Sequence, residues 1–400
     1  MLYRFIHTAD WHADSDPDKS RKLEASLGEM VDYCLQNKVN AIIIAGDIWE
    51  RKQTYAEKSG VPLVVTYLRH LSKLVDYIFI TKGNNAHDEP GSVALLHQLE
   101  QNIYAFESPV VMAVGKSITD ILRHSTREEI KYIVSMVPYP TKANFITETS
   151  IDNNNADFLK KFEGIFELIG DRTDKYYCPK ILAFHGNVVG SRLSSGQSLV
   201  SQDIMVAPST LDKARHDYYA LGHIHLRQAV KENMVYSGSI YNKSWGETEQ
   251  KSFEVVEFKG WQLNSGEADG RYDSYPVNFT NARPMVTVEC TLNSTGKIEV
   301  PSDVPGMDDE DYYQYRVKLS VAEADKKLLN ETITNSLKQL FHDDVKIEVN
   351  IIPSERESRS EQIMSCKTLL DEVKEYATVI NEPVNGNVSE KVDAMQEAAI

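Results

Sequence analysis

The chain predicts a layered α/β protein, and three observations carry that prediction. Short apolar runs rich in β-forming residues recur up to about residue 265, amphipathic stretches of helix length separate several of them, and polar clusters stand just past the ends of five runs. The runs are Tyr3–Thr8, Ala41–Ala45, Tyr77–Ile80, Tyr132–Val137, Ile181–Phe184, Tyr218–Leu221, Met234–Tyr236 and Phe253–Phe258. Their nearly continuous apolar character predicts central strands buried on both faces. Helices are expected over Lys22–Gln36, Ala56–Leu74, Ser92–Leu99 and Asp157–Ile169.

A second, smaller unit follows Arg283-Pro284. Val286, Val288, Cys290 and Leu292 alternate with polar residues, and so do Tyr315, Val317, Leu319 and Val321. A helical stretch, Ala324–Phe341, precedes a third alternation at Val345, Ile347, Val349 and Ile351, which gives a β-β-α-β order. The acidic run Met307–Asp311 reads as a solvated loop. Farther on, Ile363, Cys366, Leu370, Val373, Ala377 and Ile380 draw one apolar stripe along a helix. Packing back on its own domain and docking onto a partner protein both satisfy that stripe. The stretch Glu382–Ile400 reads as a loose tail.

Composition narrows the class. With 42% hydrophobic and 26% charged residues the chain is an ordinary globular one, and no stretch approaches the roughly 20 apolar residues of a membrane span. The opening Met-Leu-Tyr-Arg-Phe-Ile-His-Thr-Ala-Asp has no apolar signal core, so a cytoplasmic protein away from membranes is expected. Cys34, Cys178, Cys290 and Cys366 form no CxxC pair, which argues against a thiolate zinc site or a disulfide framework. The formal charge of -16 sits awkwardly with a nucleic-acid substrate. Cation-facing carboxylates or a basic partner protein would relieve the conflict, and simple solubility explains the charge equally well.

The chemistry gathers at run ends. Asp10 and His12 follow the first run and Asp47 the second; Asn84 or Asn85, with His87 and Asp88, follow the third; His185 follows Ile181–Phe184, and His223 with His225 follow Tyr218–Leu221. In open α/β sheets, ligand sites collect beyond the carboxyl ends of strands. The i, i+2 spacing of Asp10/His12 and His223/His225 puts both side chains on one side if the segments are extended. Gly46, Gly83, Gly186 and Gly222 adjoin these residues and permit close backbone approach. A set of Asp, His and Asn without Cys suits divalent manganese, iron or zinc. Some seven ligands exceed one four-coordinate site, so two ions sharing a carboxylate are expected.

The segments His7-Thr8-Ala9-Asp10-Trp11-His12, Ala45-Gly46-Asp47-Ile48-Trp49, Gly83-Asn84 with His87-Asp88, His185-Gly186 and Ala220-Leu221-Gly222-His223-Ile224-His225 resemble the calcineurin-like metallophosphoesterases. Tyr218–His225 together with Tyr236-Ser237-Gly238-Ser239-Ile240 resembles more closely the SbcD-type nuclease subunits of double-strand-break processing complexes. The resemblance implies a two-sheet sandwich flanked by helices over residues 1–282, a capping domain over 283–353, a partner-docking helical segment over 354–382 and a flexible tail over 383–400. It implies that Asp10, His12 and His225 bind one ion, that Asn84, His185 and His223 bind the other, and that Asp47 bridges them. His87 would contact the scissile phosphate and protonate the leaving oxygen, with Asp88 as an orienting group. Two divalent cations are implied, manganese foremost, with magnesium, iron or zinc as alternatives. DNA, an SbcC-type SMC-like ATPase and a second copy of the nuclease subunit are the implied partners.

One departure stands out. The family run is Gly-Asn-His-Asp, whereas this chain has Gly83-Asn84-Asn85-Ala86-His87-Asp88, two residues longer. Asn85 therefore competes with Asn84 as the ligand, and the longer loop puts the position of His87 in question. Of the remaining residues, His7 and His216 read as structural, and Trp11 and Trp49 as walls beneath the site rather than base-stacking platforms. Lys82, Arg192, Arg227 and Lys243 adjoin the motifs as possible phosphate contacts or plain surface charges. The competing functions are a stand-alone phosphoesterase acting on nucleotides or phosphoproteins, and a structural subunit with a degenerate site.

Overall fold

A computed structural model of the chain describes residues 2–51, 60–141, 154–194, 197, 204–259, 272–305, 313–342, 344–353, 366, 368–379, 381, 384, 386, 388, 391 and 392. The chain divides into two compact units. The first comprises Met1–Val288 with Asp303–Arg316 and Leu340–Lys346, and the second Glu289–Ser302, Val317–Gln339 and Ile347–Ile400.

In chain order the strands of the first unit are β1 (Tyr3–Thr8), β2 (Val39–Ala45), β3 (Val75–Thr81), β4 (Ile103–Phe106), β5 (Val110–Val114), β6 (Ile118–Asp120), β7 (Tyr132–Val137), β8 (Lys180–His185), β9 (Asn187–Val188), β10 (Met205–Val206), β11 (Tyr218–Gly222), β12 (Gln228–Lys231), β13 (Met234–Tyr236), β14 (Ser252–Phe258) and β15 (Tyr272–Asn278). Two large mixed sheets result, ordered β15-β14-β1-β2-β3-β4 and β12-β13-β11-β8-β7-β5-β6. The strands that carry site residues, β1, β2 and β3 in one sheet and β8 and β11 in the other, run parallel to their neighbours in that group. Their carboxyl ends therefore lie on one edge of each sheet.

Alternation along the strands builds three cores. Phe5 of β1, Ala41 and Ile43 of β2 and Phe79 of β3 pack against Val134 and Met136 of β7, Ile181 of β8 and Tyr218 of β11, filling the space between the sheets. The intervening residues Ile6, Ile42, Ile44, Ile78 and Ile80 face the other way, onto helices α1 (Pro17–Gln36) and α2 (Val61–Ser72). Leu182, Phe184, Tyr219 and Leu221 likewise cover α3 (Asn154–Thr173). The result is a helix-sheet-sheet-helix sandwich, in which inner strands are apolar on both faces because both faces are covered. Helix α1 starts at Pro17, five residues before the expected Lys22. Asp16 accepts from the amides of Asp18 and Lys19 at 2.8 and 3.2 Å, Pro17 occupies the first turn, and Leu23, Leu27, Met30 and Cys34 form the buried stripe.

Several sequence expectations are corrected. Ser92–Leu99 is not an α-helix; only Ala94–Gln98 coils, as a 3-10 turn, and the Glu107 carboxylate takes the amides of Gly91, Val93 and Ala94. Helix α2 begins at Val61, and residues 52–59 lie outside the described ones. Strands β4, β5 and β6 were not anticipated, being only three to five residues long. Strand β15 alternates so weakly that its pairing with β14, not its pattern, defines it.

The small sheet has the order β17-β16-β18-β19, with β16 (Met285–Leu292), β17 (Ile298–Glu299), β18 (Gln314–Ala322) and β19 (Lys346–Ile352). The expected helix over Ala324–Phe341 is broken. A 3-10 stretch, Glu323–Leu328, ends before Asn330, whose side chain accepts from the Ile333 amide at 3.2 Å and starts a separate helix, Glu331–Phe341. Strand β19 buries less than its pattern promised, since Val349 is exposed. A C-terminal helix spans Leu369–Val379, and Leu370, Val373 and Ala377 of the apolar stripe are half-buried on it. Met307–Asp311, Ile363, Ile380 and most of the expected tail fall outside the described residues. Among the described residues, no helix is long and apolar enough to cross a membrane.

Candidate metal centre

Two loops lie side by side beyond β1 and β2. The amides of Asp10, His12 and Ala13 donate to the carbonyls of Gly46, Asp47 and Ile48 at 3.0, 3.0 and 2.8 Å. The loops are not extended, contrary to the spacing argument: Asp10, His12, Asp47 and His223 have φ of 55, 45, 52 and 100°. The strand ends at Thr8 and the chain coils left-handed, so backbone curvature rather than strand alternation brings Asp10 and His12 together. Non-glycine residues tolerate this region at a cost of order 1–3 kcal/mol each, and such strain clusters at functional sites.

Glycines make room. Gly46 has φ of 89°, and a Cβ there would meet His185 Nδ1 at 2.3 Å. A Cβ on Gly83 would fall 1.9 Å from Asp47 Oδ1. The β2 and β3 loops can thus touch only because position 83 lacks a side chain.

The side chains converge. Among the described residues, three groups bring one ligand atom each to within 4.8 Å of one another: Asp10, His12 and His225; His12, Asp47 and His87; and Asp47, His185 and His223. His12 Nε2 and His225 Nε2 are 3.0 Å apart, and His12 Nε2 lies 3.8 Å from Asp10 Oδ1 and 3.9 Å from Asp47 Oδ2. On the other side, His185 Nε2 lies 3.2 Å from Asp47 Oδ1. The His185 Nδ1 faces the Ala45 carbonyl at 2.6 Å, which requires the proton on Nδ1, so Nε2 meets the Asp47 carboxylate either with a second proton or with its lone pair on a shared cation.

Electrostatics repeat the asymmetry. Burial holds His12 down to about 3, and burial with His12 and Lys243 nearby puts His225 well below the usual imidazole range. Burial also pushes His185 down, but Asp47 and Asp10 outweigh it and lift the ring to about 9. Burial raises Asp47, and His185 more than reverses this. Asp10 is pushed up to about 6, chiefly by burial. Neutral His12 and His225, and a His185 drawn to the crowded carboxylates, form a buried arrangement that a divalent cation satisfies, and the thiolate-free donor set fits one.

Of the two asparagines, Asn84 is the one at Asp47. Asn84 donates from its amide nitrogen to Asp47 Oδ2 at 3.0 Å and from its backbone to Asp47 Oδ1 at 2.9 Å. Its Oδ1 accepts from the amides of Ala86 and His87 at 2.9 and 3.3 Å, so as placed it grips Asp47 rather than presenting its oxygen to the centre. Asn85 points elsewhere, accepting from Lys82 Nζ. The longer loop still returns His87: its Nδ1 donates to the Glu50 carbonyl at 2.6 Å, and its Nε2 lies 3.9 Å from Asp47 Oδ2. Asp88, fully buried, accepts from the amides of Asp47, Gly83 and Trp49 at 3.0, 2.7 and 3.1 Å and ties the second and third loops together.

Three supporting residues escaped the sequence reading. Glu50 Oε2 lies 3.1 Å from His12 Nδ1 and pairs with Lys243 at 2.7 Å, which turns His12 Nε2 inward. Gln197 donates to the His223 carbonyl at 2.6 Å and accepts from the His225 amide at 3.1 Å. Buried Lys251 donates to the His225 carbonyl at 3.2 Å. None carries a motif, since each acts across the fold on backbone or on a ring's far nitrogen. Lys243, half-buried, is paired with Glu50 rather than standing as a plain surface charge. Arg227 is held by buried Glu254 at 3.0 Å. His7 and His216 are structural, bonded to Tyr218 and Leu221 and to Ser135 and Ala214 respectively. Trp11 and Trp49 are buried in the outer core beneath the loops, with no face for a base.

A family model described as Metallophos, calcineurin-like phosphoesterase, matches residues 3–227, more than half of the chain. The chain belongs to the calcineurin-like phosphoesterase family. The family is one of phosphoesterases, and all of the clustered ligand atoms lie within the matched residues. The chain is 24% identical over 302 residues to "Uncharacterized metallophosphoesterase YhaO" of Bacillus subtilis (strain 168), a match covering 71% of this chain and 65% of that protein's length. A crystal structure aligned over 70% of this chain and 100% of its own has 11% identity and a TM-score of 0.36, too low to carry an argument.

Proposed function

We propose that this phosphoesterase is a DNA nuclease that hydrolyses phosphodiester bonds at a two-cation centre, as the nuclease subunit beside an SbcC-type ATPase. The observation that carries the two-cation reading is Asp47, whose two oxygens face different ligand groups, Oδ1 toward His185 and Oδ2 toward His12 and His87. The DNA substrate rests on the motifs Tyr218–His225 and Tyr236–Ile240 that resemble the SbcD type. The ATPase partner and a paired second copy rest on the same resemblance, together with the apolar stripe of the C-terminal helix.

In this reading Asp10, His12 and His225 hold one cation, His185 and His223 the other, and Asp47 both, with Asn84 fixing the Asp47 carboxylate. Manganese is the proposed ion. Bound cations supply Lewis acidity to the phosphoryl oxygens and make a water acidic enough to attack near neutral pH. The protein's own contribution is the rest. Glu50 and Ala45 fix the ring orientations of His12 and His185. His87, anchored through Nδ1–H to Glu50, keeps Nε2 toward the cleft, where its imidazolium form gives a proton to the departing oxygen.

The test is hydrolysis of linear DNA and of a small phosphodiester by the manganese-loaded protein, alone and with its ATPase partner. DNA cutting abolished by Asp47→Asn supports the proposal. Cutting of the small ester with DNA untouched under every condition sinks its DNA part and favours an enzyme of small nucleotides, the reading with which a net charge of -16 agrees.

A further inference from the structure

A pocket of about 540 Å³ opens beside the ligand cluster, with Lys82, Asn85, Tyr139, Thr141 and Pro109 in its walls. That size suits a small organic ligand. Two of its residues adjoin the metal centre. Tyr139 is half-buried, with its ring 5.7 Å from that of His223 and 6.1 Å from that of His185. Lys82 directly precedes Gly83, the residue packed on Asp47.

Lys82 is buried yet donates only to neutral oxygens, the Gly83 carbonyl at 3.3 Å and Asn85 Oδ1. Among the described residues it has no carboxylate within ion-pair distance; Asp88, Glu107 and Asp47 act on it only from farther away. Glu107, the acidic group of the pocket, is engaged by the amides of Gly91, Val93 and Ala94. A buried ammonium costs free energy unless an anion meets it, and it has a third donor to give. Asn85, which steadies it, belongs to the two-residue extension of the Gly83–His87 loop.

We infer that this pocket is a nucleotide subsite, in which Lys82 pairs with a phosphate next to the bond being cut and Tyr139 lies against the attached base. The subsite rests on the phosphodiesterase reading above and adds a place for the flanking nucleotide. The lengthened loop builds its wall, so the feature that departs from the family run becomes a determinant of substrate choice.

The test is calorimetric titration with thymidine 5′-monophosphate, inorganic phosphate and thymidine, on manganese-loaded and on chelator-treated full-length protein. Wild type should bind the nucleotide more tightly than either fragment in both states. Lys82→Met should weaken nucleotide and phosphate binding about tenfold, with Lys82→Arg restoring most of it. Tyr139→Leu should weaken nucleotide binding about fivefold or more, with little change for phosphate. Nucleotide affinity within twofold of wild type in folded Lys82→Met and Tyr139→Leu overturns the subsite, as does a wild type that prefers bare phosphate. If Lys82→Met does not fold, Tyr139→Leu decides alone. A protein that binds the nucleotide through these residues yet never cuts DNA keeps the subsite and loses the nuclease reading. Efficient DNA cutting with an unchanged KM in both variants does the reverse.

Discussion

His185 Nε2 and Asp47 Oδ1 stand 3.2 Å apart in a buried setting, with the His185 Nδ1 already donating to the Ala45 carbonyl. Two acceptors at that distance need a positive charge between them, a proton or a cation. Stability should therefore depend on divalent metal. Saturating manganese at 100 times its Kd adds about 2.7 kcal/mol, so chelation should lower Tm by several degrees. Asp47→Asn should erase the metal-dependent part of that shift, which thermal unfolding with and without chelator reads directly.

Gly83→Ala places a methyl group where Asp47 Oδ1 and the Asp47 amide now are, with a Cβ contact of 1.9 Å. Either loop must shift. A destabilisation of about 1–3 kcal/mol and loss of bound metal are expected, measured by denaturant unfolding and elemental analysis. A variant that binds metal as wild type does would show that the two loops need not touch.

Glu50→Gln removes the charge beside His12 Nδ1 and leaves half-buried Lys243 without its carboxylate partner. Metal affinity should fall by about 10–100-fold, and stability by about 3 kcal/mol. Adding Lys243→Met should recover stability but not metal affinity. Recovery of both would mean that Glu50 serves only to neutralise Lys243.

His87→Asn should leave metal content intact and lower kcat by about 10²–10⁴-fold. Its effect should shrink on a phosphodiester whose leaving group needs no proton, such as a nitrophenyl ester. An equal loss on both substrates would place His87 in substrate binding instead.

His216 is buried against Ser135 and Ala214, and burial holds its ring down to about 3 from the ordinary 6.5. The folded state keeps it neutral while the unfolded chain protonates it. Its stabilising contribution is complete above pH 6.5 and is lost as pH falls from 6.5 toward 3, by up to about 1.4 kcal/mol per pH unit. His216→Asn should flatten the pH dependence of unfolding free energy by one proton in that window, although it lowers stability at neutral pH. An unchanged slope would show that the ring is protonated in the folded protein.

The sequence by itself determined the eight strands that its apolar runs mark and the identity of the polar residues that end five of them. Runs such as Tyr3–Thr8 and Tyr132–Val137 coincide with strands end to end, because residues buried on both faces must be apolar throughout and cannot be mistaken for solvated loops. The shared location of Asp10, Asp47, His185 and His223 was legible too, because parallel strands deliver the residues at their carboxyl ends to one edge. Tertiary structure decided everything that depends on neighbours distant in sequence. Left-handed turns at Asp10, His12 and Asp47 replaced the expected extended pairs, because the first and second loops hydrogen-bond to each other. Which of Asn84 and Asn85 lies against Asp47 was likewise decided by the loop's tertiary contacts. Glu50, Gln197 and Lys251 support the centre through a ring's far nitrogen or a backbone carbonyl, contacts that no local pattern records.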